Sequence, residues 1–175
     1  MKNKIKSTII ITAENQERFI ERCIKSCLNQ SVKNIEIIIV FTKLKNISIL
    51  KKRYLSKNIV FLNIAKKINK PTQDQLFKIK QGLLISKGKY IFLLDGDDTY
   101  KKNKVKEAIN SIKDKKVLFL DNYENNKNNI KQINKVHGFK EANLYKTLIN
   151  AWPKGVCTSC IVLNRDLLNE FFKKI

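Results

Sequence analysis

After six residues the chain runs into STIIIT (7–12), and the same kind of segment returns as IEIIIV (35–40), IVFLNI (59–64), YIFLL (90–94) and VLFLD (117–121). Each is short, continuous and rich in β-branched or aromatic residues, the pattern of a strand covered on both faces. Between these runs the apolar positions fall three and four apart. That spacing predicts helices over 16–29, 47–56, 73–86 and 101–113, with further helices over 141–149 and 165–173. Asn15 stands where an N-cap of the first helix is expected, and Thr72, after Pro71, where the third would be capped. Strands alternating with helices are joined most simply by parallel crossovers. The expected fold class is therefore α/β, an open, mostly parallel, Rossmann-like sheet with helices on both faces. Ligands of such sheets lie beyond the carboxyl ends of the strands.

The chain has 175 residues, 43% of them hydrophobic and only two proline, which is enough for one domain, 1–175, with a real core. No tandem repeat or interdomain linker breaks it. The Asn-rich NYENNKNNIKQINKVH (122–137) reads as a loop and marks the passage from a regular first part, about 5–106, to a less patterned second part, about 107–175.

A net charge of +21 raises nucleic acid as a partner. The cations argue against it. They are nearly all lysine, with arginine only at Arg18, Arg22, Arg53 and Arg165, and no helix gathers them among aromatic residues. A diffuse positive field suits phosphorylated substrates or peripheral contact with an anionic membrane, so no specific nucleic acid is expected. No segment approaches the ~18 to 20 apolar residues that span a bilayer. MKNKIKSTIIIT has too short an apolar run for a signal peptide. The expected location is cytoplasmic, with the inner face of the membrane as the peripheral site.

Cys23, Cys27, Cys157 and Cys160 have a spacing open to zinc. Cys23 and Cys27, however, share an apolar stripe with Phe19, Ile20, Ile24 and Leu28 and read as small core residues, and Cys157 and Cys160 flank a Thr-Ser pair before an apolar strand. His137, the sole histidine, lies in a polar segment and is given no catalytic role; Trp152, with Pro153 and Gly155, reads as a hydrophobic loop anchor.

The chemistry concentrates in KYIFLLDGDDTY (89–100), where Asp95, Asp97 and Asp98 end an oily strand. Three carboxylates within four residues repel one another unless a cation or donors answer them. Mn2+ or Mg2+ does so, using carboxylates and the oxygens of a diphosphate. Gly96 would let the backbone turn tightly enough for Asp95 and Asp97 to address one ligand. The blander role is an acidic turn in which Asp98 or Thr99 caps the helix expected near 101. The phosphate-cradling patterns G-x-G-x-x-G and G-x-x-x-x-G-K-[ST] do not occur.

STIIITAENQERFIERCIKSCLNQSVKNIEIIIV followed by GLLISKGKYIFLLDGDD resembles the nucleotide-sugar glycosyltransferases of family 2, which have the GT-A fold. The likeness covers roughly residues 7 to 106 and weakens beyond. It implies an inverting transfer of a sugar from a nucleotide-diphosphate donor, a UDP-sugar first among them, to a hydroxyl of a glycan or lipid-linked acceptor. It implies that Thr12, Ala13 and Asn15 line the base and ribose end, that Asp95 contacts the nucleotide, that Asp97 ligates the metal, and that Asp98 supports it or caps the helix. By the same likeness about 5–106 is the nucleotide-sugar-binding part and about 107–175 an incomplete acceptor side.

The chain also departs from the family pattern. Glu14 replaces a frequent aromatic residue, FTKLKN (41–46) replaces an Asp-Asp-Gly turn, and Lys78, Ile79 and Lys80 replace Ala-Arg-Asn; Lys78 or Lys80 could still meet a phosphate, but a solvated helix face is the expected place for both. The family's catalytic base follows a segment like TSCIVLNRDLLNEF (158–171), after which this chain has four residues. No residue is its clear equivalent: Asp121, at a strand end, and Glu124 are candidates for the base, and a turn or cap explains each as well; Asp166 suits the first turn of the last helix. Two other readings stay open. One is a donor-domain remnant that binds without turnover. The other is a phosphatase of the haloacid dehalogenase type, since DGDDT also fits D-x-D-x-T with Thr158 as a later motif.

Overall fold

The computed structural model describes residues 7–55, 57–65, 68–112, 118–120 and 157–174. The first four strands and helices alternate as the sequence predicts: β1 (Ser7–Glu14), α1 (Ile20–Leu28), β2 (Ile35–Thr42), α2 (Ile47–Arg53), β3 (Ile59–Asn63), α3 (Pro71–Ile85), β4 (Tyr90–Asp95) and α4 (Lys104–Ile112). Then come β5 (Leu118–Leu120), a 3-10 turn over Thr158–Cys160, β6 (Ile161–Asn164) and α5 (Arg165–Lys174). The expected helix over 141–149 and the loop over 122–137 lie outside the described residues.

The sheet has the order β3-β2-β1-β4-β6-β5. β3, β2, β1 and β4 run parallel, whereas β6 is antiparallel to both β4 and β5. β5 therefore points the same way as β4. Helices cover both faces because alternate residues of each central strand point to opposite sides. Ile9, Ile11, Ile37, Ile39, Phe92 and Leu94 pack with α1, α2 and α4. Ile10, Ile38, Val40, Ile91 and Leu93 pack with α3 and α5. Gly82 lets α3 lie close on the sheet, since a Cβ there would stand 2.7 Å from Ile10 Cγ2.

Two expected caps are corrected. Asn15 does not cap α1: the helix starts only at Ile20 after a turn in which Phe19 N–H and Ile20 N–H donate to Gln16 C=O, and Asn15 takes φ 51° instead. Asparagine tolerates that left-handed backbone at a strand end. Thr72 lies inside the first turn of α3, because Pro71, with its fixed φ and missing N–H, fits the first helical position and moves the cap back to Lys70. Asp166, in contrast, occupies the first turn of α5 as expected.

Candidate active site

The register of β1 and β4 sets Thr12 opposite Asp95 at the carboxyl end of the sheet. Thr12 Oγ1 donates to Asp95 Oδ1 at 3.2 Å, and Gln75 Nε2, from the start of α3, donates to the same oxygen at 2.6 Å. Beyond β4 the Asp98 N–H donates to Asp95 C=O at 3.0 Å, closing a turn that folds Asp98 back over the strand end. Ser159, on the turn before β6, ties the two acidic residues together. Its Oγ accepts from Asp95 N–H at 3.0 Å and donates to Asp98 Oδ2 at 2.5 Å. Cys157 Sγ stands 3.7 Å from that same Asp98 oxygen. One ligand atom each from Asp95, Asp98 and Cys157 lies within 4.8 Å of the others.

The charges in this cluster are poorly answered. Burial first, then the charges of Asp98 and Asp97, push the Asp95 carboxyl up from 3.8 to about 6, outweighing the hydrogen bonds from Thr12 and Gln75 that favour its ionised form. The Cys160 thiol holds Cys157 below its ordinary value, against burial and the Asp98 charge. An oxygen-rich cluster with unspent negative charge fits a divalent cation, and two carboxylates suit Mg2+ or Mn2+. The nearby thiol is the one soft donor in the set.

The remaining sequence expectations separate here. Asp97 is exposed on the solvent side of the turn, outside the close cluster, with its C=O accepting from Arg22 Nη2 at 2.8 Å. Asp98 and Thr99 do not cap α4, which begins later at Lys104; the Asp98 carboxylate is drawn back to Ser159. Gly96 serves by space rather than by φ, which lies outside the left-handed region. A Cβ there would meet Gln16 Oε1 at 2.4 Å and Ala13 Cβ at 2.9 Å, and Gly96 N–H donates to Thr12 C=O at 2.9 Å. Ala13 thus packs beneath the acidic turn, and Asn15 is exposed beyond it.

Lys80 is exposed as expected, but Lys78 is not on a solvated face. It is 4% exposed, with its Nζ 2.6 Å from Asp74 Oδ2 and 3.8 Å from Glu14 Oε2. Two departures from the family pattern, Glu14 and Lys78, therefore face each other. Cys23 and Cys27 are buried on α1, as the apolar stripe requires, and all four cysteines are free. Asp121, Glu124, His137, Trp152, Pro153 and Gly155 lie outside the described residues. Gln75 and Ser159 gave no functional signal in the sequence, and Cys157 gave only a spacing open to zinc with the other cysteines, since a helical glutamine and a Ser-Cys turn are ordinary until the fold turns them to the acidic strand end. A cavity of about 330 Å³ lined by Ser7, Lys33, Asn34 and Lys106 opens at the opposite, amino end of β1, away from these groups.

The profile of Glycosyl transferase family 2 matches residues 8–43 and 64–175. The chain belongs to this family. The acidic motif closes the fourth strand, not the first as a haloacid dehalogenase phosphatase would need. Among solved structures, S. aureus TarS 1-349 superposes with a TM-score of 0.72 at 17% identity, over 94% of this chain and 48% of that one. The same protein in complex with UDP-GlcNAc gives 0.68 at 16%, over 94% and 47%. The mannosyltransferase PcManGT from Pyrobaculum calidifontis, in complex with GDP-Man and Mn2+, gives 0.67 at 13%, over 97% and 47%. Likeness at these identities is likeness of fold, and the fold is the expected GT-A arrangement. The chain spans less than half the length of these structures. No curated protein matches it significantly by sequence.

Proposed function

We propose that this chain is the donor-handling part of a nucleotide-sugar-dependent glycosyltransferase that transfers the sugar with inversion to an acceptor hydroxyl. The observation that carries the reading is the acidic cluster at the end of β4, where Asp95 is held half-buried beside Asp98 with its charge only partly answered by Thr12 and Gln75. Thr12 and Gln75 occupy Asp95 Oδ1, which fixes the carboxylate and leaves its other oxygen to address the ligand. Ser159 orients Asp98 in the same way. Asp97, exposed at the tip of the turn, would help hold a metal-bound diphosphate, and Ala13 and Asn15 would line the ribose and base end.

A bound Mn2+ or Mg2+ would neutralise the diphosphate as it leaves. The acceptor oxygen forms its bond to the anomeric carbon as the carbon–phosphate-oxygen bond breaks on the opposite face, and the hydroxyl proton passes to a base. Asp121 is our proposed base. β5 runs alongside β4 in direction and its last residue, Leu120, pairs with Ile161, next to the turn that carries Ser159. The complexes of TarS with UDP-GlcNAc and of PcManGT with GDP-Man and Mn2+ support a nucleotide-sugar donor, with UDP-sugars to be tried first. The acceptor we propose is a glycan or a lipid-linked sugar.

Calorimetry with UDP and GDP in the presence of Mn2+ tests the reading. We expect binding that disappears with EDTA and weakens at least tenfold in Asp97→Asn. Failure of every nucleoside diphosphate to bind with either metal would overturn it. Asp121→Asn should keep the binding and lose transfer; unchanged transfer would remove Asp121 from the mechanism.

A further inference from the structure

One edge of the sheet carries a charge pattern that donor binding does not use. From residue 37 to residue 73 the chain has nine Lys or Arg and no Asp or Glu. Of its described residues, β2 and β3 form the outermost parallel pair at the β3 edge of the sheet, and α2 lies on one face beside them. Leu50 and Tyr54 point α2 inward, both nearly fully buried. The outward side of the helix then carries Ile49 and Lys52, three residues apart and so on one face, flanked by Lys51, with Lys45 exposed just before the helix starts. Leu55 and Lys57 follow directly. Ile49 is 59% and Leu55 86% exposed, the two most prominent apolar side chains of this edge.

The acidic groups that reach α2 are already engaged. Glu21 pairs with Arg53 at 2.6 Å and with Lys25 at 3.0 Å, and Glu17 accepts the Lys45 N–H at 3.0 Å. Among the described residues, Lys51, Lys52 and Lys57 have no acidic partner. Exposed leucine and isoleucine set among unpaired lysines match a surface that is anionic at the headgroups and apolar just beneath. A soluble polyanion would use the lysines but gain nothing from Leu55. A second copy of the chain would bring like charges together. No described helix is long and apolar enough to cross a membrane, so contact through this edge would be peripheral.

We propose that the α2 edge, through Lys45, Ile49, Lys51, Lys52, Leu55 and Lys57, docks the protein on an anionic lipid bilayer. Each lysine near such a surface strengthens binding about fivefold. Insertion of the Leu55 side chain adds roughly tenfold or more. The docking needs neither nucleotide nor metal, and so it stands or falls separately from the donor reading.

Flotation of the full chain with vesicles of phosphatidylcholine, with and without 30% phosphatidylglycerol, tests the proposal. The protein should float with the anionic vesicles, stay behind with pure phosphatidylcholine, and release as salt rises from about 0.1 M to about 0.5 M, where screening shortens. Lys51→Glu with Lys52→Glu should weaken the anionic binding at least 25-fold, by the roughly fivefold factor per cation. Leu55→Ser, at a side chain that supports no core contact, should weaken vesicle binding about tenfold. The same variant should leave binding to soluble polyphosphate unchanged, and circular dichroism should show both variants folded. Equal flotation with and without phosphatidylglycerol would overturn the proposal. So would full vesicle binding by Leu55→Ser, which would reduce the contact to electrostatic adsorption by the lysines with no apolar insertion.

Discussion

Replacing Asp95 by asparagine should make the protein more stable while removing its function. In the folded protein burial and the neighbouring carboxylates move this group from 3.8 to about 6. At about 1.4 kcal/mol for each tenfold change in the proton equilibrium, the ionised Asp95 costs on the order of 3 kcal/mol at pH 7.5. Because the folded value is the raised one, the stability this group contributes is fully present below about pH 4 and is lost as the pH climbs through about 6. Asparagine removes the charge and keeps the shape. Its Oδ1 still accepts from Thr12 and from Gln75, so no buried donor is orphaned. In urea titrations with EDTA, Asp95→Asn should exceed the parent by ~2 to 3 kcal/mol at pH 7.5 and by nearly nothing at pH 4. The corresponding rise in Tm at neutral pH is about 5 to 10 °C for a chain of this size. An asparagine variant no more stable than the parent at pH 7.5, or a gain that does not change between pH 4 and 8, would refute the electrostatic argument. A gain bought at the site of chemistry is the usual sign of a residue kept for function.

The same proton equilibrium governs metal uptake. A cation must displace the Asp95 proton at pH 5 but meets an ionised group at pH 7.5, so the Mn2+ concentration that raises Tm should be about tenfold higher at the lower pH; identical midpoints would exclude Asp95 from the metal site. Lys78→Met takes the ammonium from between Asp74 and Glu14 and should cost ~3 to 5 kcal/mol in urea unfolding. Most of that loss should return in the double variant with Asp74→Asn, and a single variant within about 1 kcal/mol of the parent would show that the buried charges find other partners.

Much of the fold was legible because its signals are local. STIIIT, IEIIIV and YIFLL each announce a strand covered on two faces, and the change to a spacing of three and four announces the intervening helices. Cap positions were less legible. Pro71 outcompeted Thr72 at the start of α3, and the left-handed backbone at Asn15 displaced the start of α1 by four residues. The sequence read Gly96 as a turn residue, but its requirement is clearance from Gln16 and Ala13, a contact between segments 80 residues apart.

The candidate site divides along the same line. The sequence by itself determined that three carboxylates would crowd the end of a buried strand in an α/β sheet, because charge, apolarity and order along the chain are properties of neighbours. Only the tertiary structure decided which of them cooperate. Asp98 folds back onto Asp95 through a turn, and Asp97 is left to solvent. Gln75 arrives from α3, and Ser159 and Cys157 arrive from the approach to an antiparallel strand more than 60 residues away. Lys78 likewise reads as a surface lysine until packing buries it between two carboxylates. Distances between segments remote in sequence are fixed by the closing of the core, and no periodicity within a segment encodes them.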